Sequence, residues 1–163
     1  MIETFILDQF TKYDIAPCVA VPCKFFSKLL VELAEVSERQ LIFPAREEEG
    51  LGICAGAHLA GHSGVMIIQN SGLGNLVNAY CSLNNYFNIP VCFLVSHRGG
   101  PTEPVEAQKP FGEITEDLLA LLQIKAINLH SPDQQADFEM AMELYCREKQ
   151  SVALLTQPSF WQP

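Results

Sequence analysis

The sequence predicts a doubly wound α/β fold, in which a mainly parallel sheet is covered by helices on both faces. Short apolar runs alternate with longer segments of helical periodicity along the whole chain. The run SGVMIIQN contains a stretch of consecutive apolar residues, as a strand buried on both faces requires. Hydrophobic residues make up 48 % of the 163 residues, enough apolar material for a substantial core. We therefore treat residues 1–163 as a single domain with right-handed crossovers.

Helices are predicted where apolar residues recur every three or four positions. In the first segment these positions are Ile2, Ile6 and Phe10, with Phe5 and Tyr13 beside them. The third segment opens with three glutamates and is assigned as a helix despite its glycines. The predicted helices are residues 2–13, 24–36, 47–62, 74–88, 114–124 and 132–149.

Strands are predicted in the apolar runs between these helices. The first run, APCVAVP, is short and closed by a proline, which marks the end of a strand. The predicted strands are residues 16–22, 39–45, 63–70, 89–99, 125–130 and 150–159. Ligands of such sheets bind at the carboxyl ends of the strands. The one long predicted loop, about residues 96–113, begins at such an end and is rich in glycine and proline; loops of this length inside compact domains are usually functional or mobile.

Composition excludes several classes of function. The formal net charge of −9 argues against binding to a nucleic-acid backbone, which needs clustered lysine and arginine. There is no apolar run of about 18 residues and no basic start typical of a signal peptide, so we expect a cytoplasmic protein without a membrane span. The cysteines are scattered and show no CxxC pair, which favours buried thiols over a disulfide framework or a zinc site.

The segment REEEGLGICAGAHLAGH raises the first functional question. Glu47, Glu48 and Glu49 fall in the first turn of a predicted helix, where carboxylates interact favourably with the helix dipole. Adjacent like charges repel, however, and one or two acids would satisfy the dipole. The small residues that follow let another backbone or a flat ligand approach closely. A carboxylate there, partly desolvated, could share a proton with a ligand nitrogen.

Two further strings lie at strand ends. QNSGLGN, residues 69–75, joins a strand to a helix and is a generic anion site, although Ser71 or Asn75 could simply cap the helix. It is neither a Walker loop nor GxGxxG. In SHRGG, Arg98 is a candidate anion clamp and His97 a candidate proton donor; alternatively, Arg98 is a surface residue and His97 a capping or hydrogen-bonded one. The remaining histidines show no metal spacing, and no metal site is assigned.

Taken together, REEEGLGICAGAHLAGHSGVMIIQNSGLGN and IPVCFLVSHRG closely resemble the pyrimidine-binding, N-terminal domain of thiamine diphosphate enzymes, most of all the sulfopyruvate and phosphonopyruvate decarboxylases. VPC and AQKPFG also look like that family. The resemblance implies that the glutamate two residues before the first helix glycine, Glu48, binds the cofactor's aminopyrimidine N1′ and is catalytic. It also implies that the pyrimidine side is lined by Asn70, Ser71, Gly72, Leu73, Gly74 and Asn75.

The resemblance further implies a decarboxylase of an anionic three-carbon 2-keto acid such as 3-sulfopyruvate. Candidates to hold the substrate are His97, Arg98, Gln108 and Lys109. Lys24 stands where a small polar residue is expected and is a fifth candidate. The family also needs a Gly-Asp-Gly domain that holds Mg²⁺ and the diphosphate, and no such motif occurs here. The chain is therefore expected to be the alpha subunit of a split enzyme, inactive without a beta-type partner and forming a homo- or hetero-oligomer.

Other readings stay open at this point. The substrate is expected to be sulfopyruvate, phosphonopyruvate or another 2-keto acid, because sulfonate and phosphonate are both tetrahedral oxyanions. A non-catalytic interaction or regulatory protein that retains the fold is the alternative of another class. A doubly wound nucleotide-binding protein is a further alternative, but the chain lacks a phosphate fingerprint.

Overall fold

A parallel sheet forms the centre of the molecule in the computed structural model, which describes residues 1–36, 40–101 and 103–161. Within these ranges the sheet has six strands in the order β2-β1-β3-β4-β6-β5, and every neighbouring pair is parallel. The strands are β1 (Ile15–Ala20), β2 (Leu41–Ile42), β3 (Ser63–Gln69), β4 (Cys92–Ser96), β5 (Lys125–Leu129) and β6 (Val152–Thr156). The predicted mainly parallel α/β sheet is confirmed.

Helices alternate with the strands as the sequence predicts. They are α1 (Ile2–Lys12), α2 (Ser27–Glu35), α3 (Glu47–Leu59), α4 (Asn70–Ala79), α5 (Lys109–Leu121) and α6 (Gln135–Cys146). Helix α4 continues into a π-helical segment, Tyr80–Asn85, and single 3₁₀ turns occupy Lys24–Phe26, Glu106–Gln108 and Pro158–Trp161.

The two faces of the sheet carry separate cores. Alternate residues of a strand point to opposite faces, so Ile67 of β3 packs with α1, α2 and α6 while Met66 packs with α3, α4 and α5. Strands β3, β4 and β6 are paired on both sides and are almost wholly buried, which explains their uninterrupted apolar sequences. The helices on both faces of the sheet are thus confirmed.

Several predicted boundaries are wrong. Helix α4 begins at Asn70 and not at Gly74, so the glycines of QNSGLGN lie inside its first turns and do not form a loop. Helix α5 begins at Lys109 and not at Ile114, since Pro110 fits the first turn of a helix, where no backbone N–H is needed. Strand β2 has only two residues, and the predicted strand residue Arg39 lies outside the described ranges.

Two other expectations concern the cysteines and the membrane. All six cysteines are free: Cys18, Cys54 and Cys92 are buried, Cys23 and Cys146 are half-buried, and Cys81 is exposed. The prediction of buried thiols holds for three of them and is wrong for Cys81. None of the helices in the described ranges is long and apolar enough to cross a bilayer.

Candidate active site

Polar side chains from three strand ends meet at the carboxyl edge of the sheet. Cys23, three residues after β1, has its Sγ 3.3 Å from Ser96 Oγ at the end of β4 and 3.8 Å from Gln69 Oε1 at the end of β3. The Gln69 amide donates to Gln108 Oε1 at 2.9 Å and to Ser71 Oγ at 2.8 Å. The chain reverses its direction of winding between β1 and β3, and such switch points are where ligands of these sheets bind.

Glu47 is the glutamate of the acidic triplet that faces helix α4. Asn75 Nδ2 donates to Glu47 Oε2 at 3.0 Å. A Cβ atom added at Gly72 would lie 2.7 Å from Glu47 Oε1 and 2.8 Å from its Cγ, so the carboxylate lies directly over the glycine. The absence of a side chain at Gly72 is therefore what allows the first turns of α3 and α4 to enclose the half-buried Glu47.

Glu48 and Glu49 have other surroundings. Arg46 donates through Nη2 to Glu48 Oε1 at 3.0 Å and through Nε to Oε2 at 3.3 Å. This hydrogen bonding lowers the pKa of the Glu48 carboxyl and keeps it ionised. Glu49 is exposed and accepts from the backbone N–H of Ala45 at 3.0 Å. The structure thus brings Asn75 and Gly72 to Glu47, and among the described hydrogen bonds none joins Glu48 to that stretch.

The other members of the 70–75 stretch divide into buried and exposed residues. Leu73 is fully buried in the core, so only its backbone is available to a ligand, whereas Ser71 and Gly74 are exposed. The expectation that Ser71 or Asn75 caps the helix is wrong, because the N-cap is Gln69 and makes no side-chain capping bond. A Cβ at Gly74 would lie 2.9 Å from the Phe111 ring, so this glycine permits the approach of α5.

Asn70 fixes the backbone that follows β4. Its side chain is 1 % exposed, and its Nδ2 donates to the Arg98 carbonyl at 2.9 Å and to Thr115 Oγ1 at 3.0 Å. The Arg98 N–H donates in return to Asn70 Oδ1 at 3.2 Å. Because every polar atom of the Asn70 amide is used inside the protein, Asn70 positions residue 98 and has no free group for a ligand.

Arg98 forms a buried ion pair that the sequence analysis did not predict. Its Nε and Nη2 donate to Glu103 Oε2 and Oε1 at 2.6 and 2.5 Å, and the two side chains are only 15 % and 3 % exposed. Glu103 also accepts from the N–H groups of Gly99 at 3.2 Å and Val105 at 3.1 Å. The hydrogen bonds from Arg98 lower the pKa of Glu103 to about 2.

His97 is hydrogen-bonded at both ring nitrogens. Gln157 Nε2 lies 2.8 Å from His97 Nδ1, and the Gly112 carbonyl lies 3.3 Å from Nε2. A carbonyl can only accept, so Nε2 carries a proton and Nδ1 accepts from the Gln157 amide. This arrangement suits a residue that holds β4, β6 and α5 in place better than one that transfers protons.

A pocket of about 640 Å³ opens beside this cluster. Its wall includes Phe25, whose ring lies under the Arg98 guanidinium with 5.1 Å between Cζ and the ring centroid. Lys24 also lines it and makes no ion pair with any acid of the described ranges. The predicted substrate residue Lys109 instead pairs with Glu106 at 2.6 Å outside this pocket.

Sequence reasoning missed three residues of this region: Cys23, Glu103 and Gln157. The partners of Cys23 and Gln157 come from distant segments, so spacing in the sequence carried no signal for them. Glu103 lies only five positions from Arg98, but their pairing depends on the path of the loop between them. In the described ranges, no group of three His, Cys, Asp or Glu side chains is placed to hold a metal ion.

The fold is similar to part of a larger solved structure. No protein-family model matches the chain. A Mycobacterium smegmatis protein, proposed to be a thiamin diphosphate-dependent enzyme, superposes with a TM-score of 0.70 at 14 % identity. The match covers 98 % of this chain and 30 % of that one. The chain therefore has the fold of a domain in a larger α/β protein.

Sequence relatives are more specific. The sulfopyruvate decarboxylase subunit alpha of Methanothermobacter thermautotrophicus is 39 % identical over 145 residues, which cover 88 % of this chain and 87 % of that protein. The phosphonopyruvate decarboxylase of Streptomyces viridochromogenes is 35 % identical over 112 residues, covering 68 % of this chain and 28 % of that protein. The chain belongs to the family of sulfopyruvate decarboxylase alpha subunits.

Proposed function

We propose that this chain is the alpha subunit of a split, thiamine diphosphate-dependent 2-keto acid decarboxylase, a carboxy-lyase, and that its substrate is 3-sulfopyruvate. The observation that carries the proposal is the similarity to a sulfopyruvate decarboxylase alpha subunit along 88 % of the chain. The Glu47 carboxylate, held where the first turns of α3 and α4 meet (the α3–α4 junction), supports the proposal independently. Thiamine-dependent decarboxylation requires a proton-sharing acid from such a domain.

The residues at this junction fit an aminopyrimidine. Glu47 is fixed by Asn75 and lies against Gly72, and any side chain at position 72 would displace it. When bound, thiamine diphosphate supplies the nucleophilic carbon and the electron sink for loss of CO₂. Glu47 would share a proton with a ring nitrogen of the pyrimidine, and the exposed residues Ser71, Gly74 and Asn75 would border the ring.

The assignment of this role to Glu48 stays a prediction, and the geometry favours Glu47. A proton-sharing carboxylate needs an environment that makes its neutral form accessible. Arg46 does the opposite for Glu48, since it lowers the pKa of that carboxyl. Glu47 has no cationic partner among the described ion pairs and lies between two helices.

The diphosphate and Mg²⁺ are proposed to be held by a beta-type partner subunit. Relatives that are named as alpha subunits support this division. The surface of α3 beyond its first turn is open, and a Cβ atom at Gly52 or Gly56 would meet no atom within 4 Å. We propose that a second chain, of either type, approaches along this surface.

A phosphonopyruvate decarboxylase is the second candidate, favoured by the relative of that name in Streptomyces viridochromogenes. Sulfonate and phosphonate have the same tetrahedral arrangement of oxygens and differ mainly in charge. The two candidates share every other part of the proposal.

The test is an assay of CO₂ release from 3-sulfopyruvate, phosphonopyruvate and pyruvate. It combines this chain with a diphosphate-binding subunit of the same enzyme class, thiamine diphosphate and Mg²⁺. Release from sulfopyruvate only when both chains are present is the expected result. A folded complex that releases CO₂ from none of the three acids would contradict the proposal.

The choice between the glutamates is tested in the same complex with Glu47→Gln and Glu48→Gln. Loss of a general acid–base group lowers kcat about 10²- to 10⁴-fold. We expect that loss for Glu47→Gln and a much smaller change for Glu48→Gln. The reverse order would return the role to Glu48. Calorimetry of thiamine diphosphate binding would show whether either variant lowers activity only by weakening the affinity for the cofactor.

A further inference from the structure

The pocket beside the strand ends is lined by two cationic side chains, of which one is paired with a carboxylate and the other makes no described ion pair. Arg98 and Lys24 both line it, together with Phe25, Glu103, His130 and Gln157. An incoming anion interacts with net charge, so the partners of each cation decide which of them can hold a substrate.

The charge of Arg98 is already balanced. Glu103 occupies the Nε and Nη2 donors of the guanidinium and is almost fully buried. The same carboxylate is held by the N–H groups of Gly99 and Val105, so it cannot swing away without breaking four hydrogen bonds. A substrate anion that approached Arg98 would meet a buried carboxylate beside it. The pair is therefore a neutral wall of the pocket.

The charge of Lys24 is not balanced. Lys24 begins the 3₁₀ turn after β1, is exposed, and makes no ion pair with a described acid. Its backbone is placed by the preceding Cys23, whose thiol contacts Ser96 and Gln69 at the carboxyl edge of the sheet. A flexible lysine stem on a fixed backbone can reach a strong anion as a point charge.

We infer that Lys24, and not Arg98, supplies the positive charge that selects a 2-keto acid with a second, tetrahedral anionic group. The inference rests on the proposed function and adds the residue that distinguishes sulfopyruvate or phosphonopyruvate from pyruvate. Arg98 and Glu103 together shape the pocket and keep residues 99–105 in place. Lys24 is a specificity-determining residue that touches the group remote from the reacting carbon.

The experiment compares Lys24→Met with Lys125→Met in the reconstituted complex. Lys125 is a matched control, because it is also a lysine without a described acidic partner. It is the first residue of β5 and so lies at the amino ends of the strands, away from the pocket. KM and kcat are measured for sulfopyruvate and pyruvate under the same conditions for all variants.

Loss of a charge-assisted hydrogen bond corresponds to about a 10- to 100-fold loss of binding. We expect Lys24→Met to raise KM for sulfopyruvate by that factor and to leave KM for pyruvate nearly unchanged. Lys125→Met should leave both near wild type, and Lys24→Arg should restore most of the preference. An equal change for both substrates, or none for sulfopyruvate, overturns the inference.

A second measurement separates this inference from the proposed function. The chain alone is titrated with sulfoacetate and followed by ¹H–¹⁵N NMR. Shifts at the amides of Phe25 and Ser159 that vanish in Lys24→Met but persist in Lys125→Met support the anion subsite even if no keto acid is turned over. No shifts in the wild type, or equal shifts in both variants, overturn it, whereas inactivity of the complex counts against the proposed function alone.

Discussion

Two arginine–glutamate pairs belong to segments of the candidate site, and they differ in burial and in hydrogen-bond length. In each, the arginine donates through Nε and Nη2 to both carboxylate oxygens. The pair of Arg46 and Glu48 is 66 % and 31 % exposed, with distances of 3.3 and 3.0 Å. The pair of Arg98 and Glu103 is 15 % and 3 % exposed, with distances of 2.6 and 2.5 Å.

Under the proposals made above, each pair occupies a residue that the sequence marks as a candidate for the site. In the exposed pair, Arg46 lowers the pKa of Glu48, and we propose that Glu47 is the carboxylate that shares a proton. In the buried pair, Glu103 balances the charge of Arg98, and we propose that Lys24 holds the substrate anion. Water screens the exposed pair of Arg46 and Glu48, whereas the pair of Arg98 and Glu103 is mostly shielded from water and also fixes a loop. The difference in burial therefore predicts very different responses to mutation.

The largest change in the free energy of unfolding is expected from a substitution that distorts the backbone of the loop containing Glu103. Gly99 has a φ of +94°, and a Cβ there would collide with the Gln108 carbonyl oxygen and lie 2.7 Å from Gly112 Cα. Gly99→Ala should lower the free energy of unfolding by about 3 kcal/mol or more, because strain and a backbone clash add. Urea denaturation of the isolated chain measures it.

The matched control is Gly52→Ala, since a Cβ at this helix position meets no atom within 4 Å. That variant should raise the free energy of unfolding by about 0.5–1 kcal/mol, the ordinary gain from replacing glycine in a helix. Equal losses in the two variants would show that the loop backbone is not constrained in the way described.

Removal of the inner carboxylate comes next. Glu103→Ala leaves the Arg98 guanidinium without its partner and frees two backbone N–H groups, so we expect a loss of about 2–3 kcal/mol of unfolding free energy. Glu48→Ala, which removes the same group from the exposed pair, should leave the urea midpoint close to wild type. If the two variants are equally destabilised, burial does not distinguish the pairs.

The smallest and most specific effect is a dependence on pH. The folded-state pKa of Glu103 is about 2, against an ordinary value of 4.5. Its stabilisation is therefore complete above pH 4.5 and is lost as the pH falls toward 2. Solvent screening at the pocket mouth reduces the contribution to about 2 kcal/mol. The difference in unfolding free energy between wild type and Glu103→Gln should shrink over that interval. A difference that stays constant from pH 6 to pH 2 would falsify the shift.

The alternation of strands and helices could be predicted because it depends on local periodicity. The start of α4 could not, because Gly72 and Gly74 look like loop residues until Glu47 and Phe111 are seen packed against them. Helix α5 begins earlier than the sequence pattern predicts, because proline, typical of loops, also fits the first turn of a helix, where Pro110 lies. The prediction of a single domain over residues 1–163 stays a prediction.

The sequence predicted which segments form the candidate site, but not which side chains within them face each other. The acidic triplet and the strings at residues 69–75 and 96–100 do converge at strand ends. Which glutamate faces α4 depends on the rotation of α3 against α4. Glu103 neutralises Arg98 only because the loop that contains Pro101 and Pro104 folds back towards the arginine. Nothing in the local sequence predicts that path. These are tertiary facts that no spacing rule contains.

The position of β6 in the sequence means that the sheet can be completed only after the last of its six described strands has been synthesised. This strand follows the other five in sequence, yet it lies between β4 and β5 and is paired on both sides. A nascent chain on the ribosome that has emerged only as far as residue 150 would expose the apolar edges of both neighbours. Unpaired edges can pair with other chains, so these two edges are open to aggregation until β6 is available to cover them.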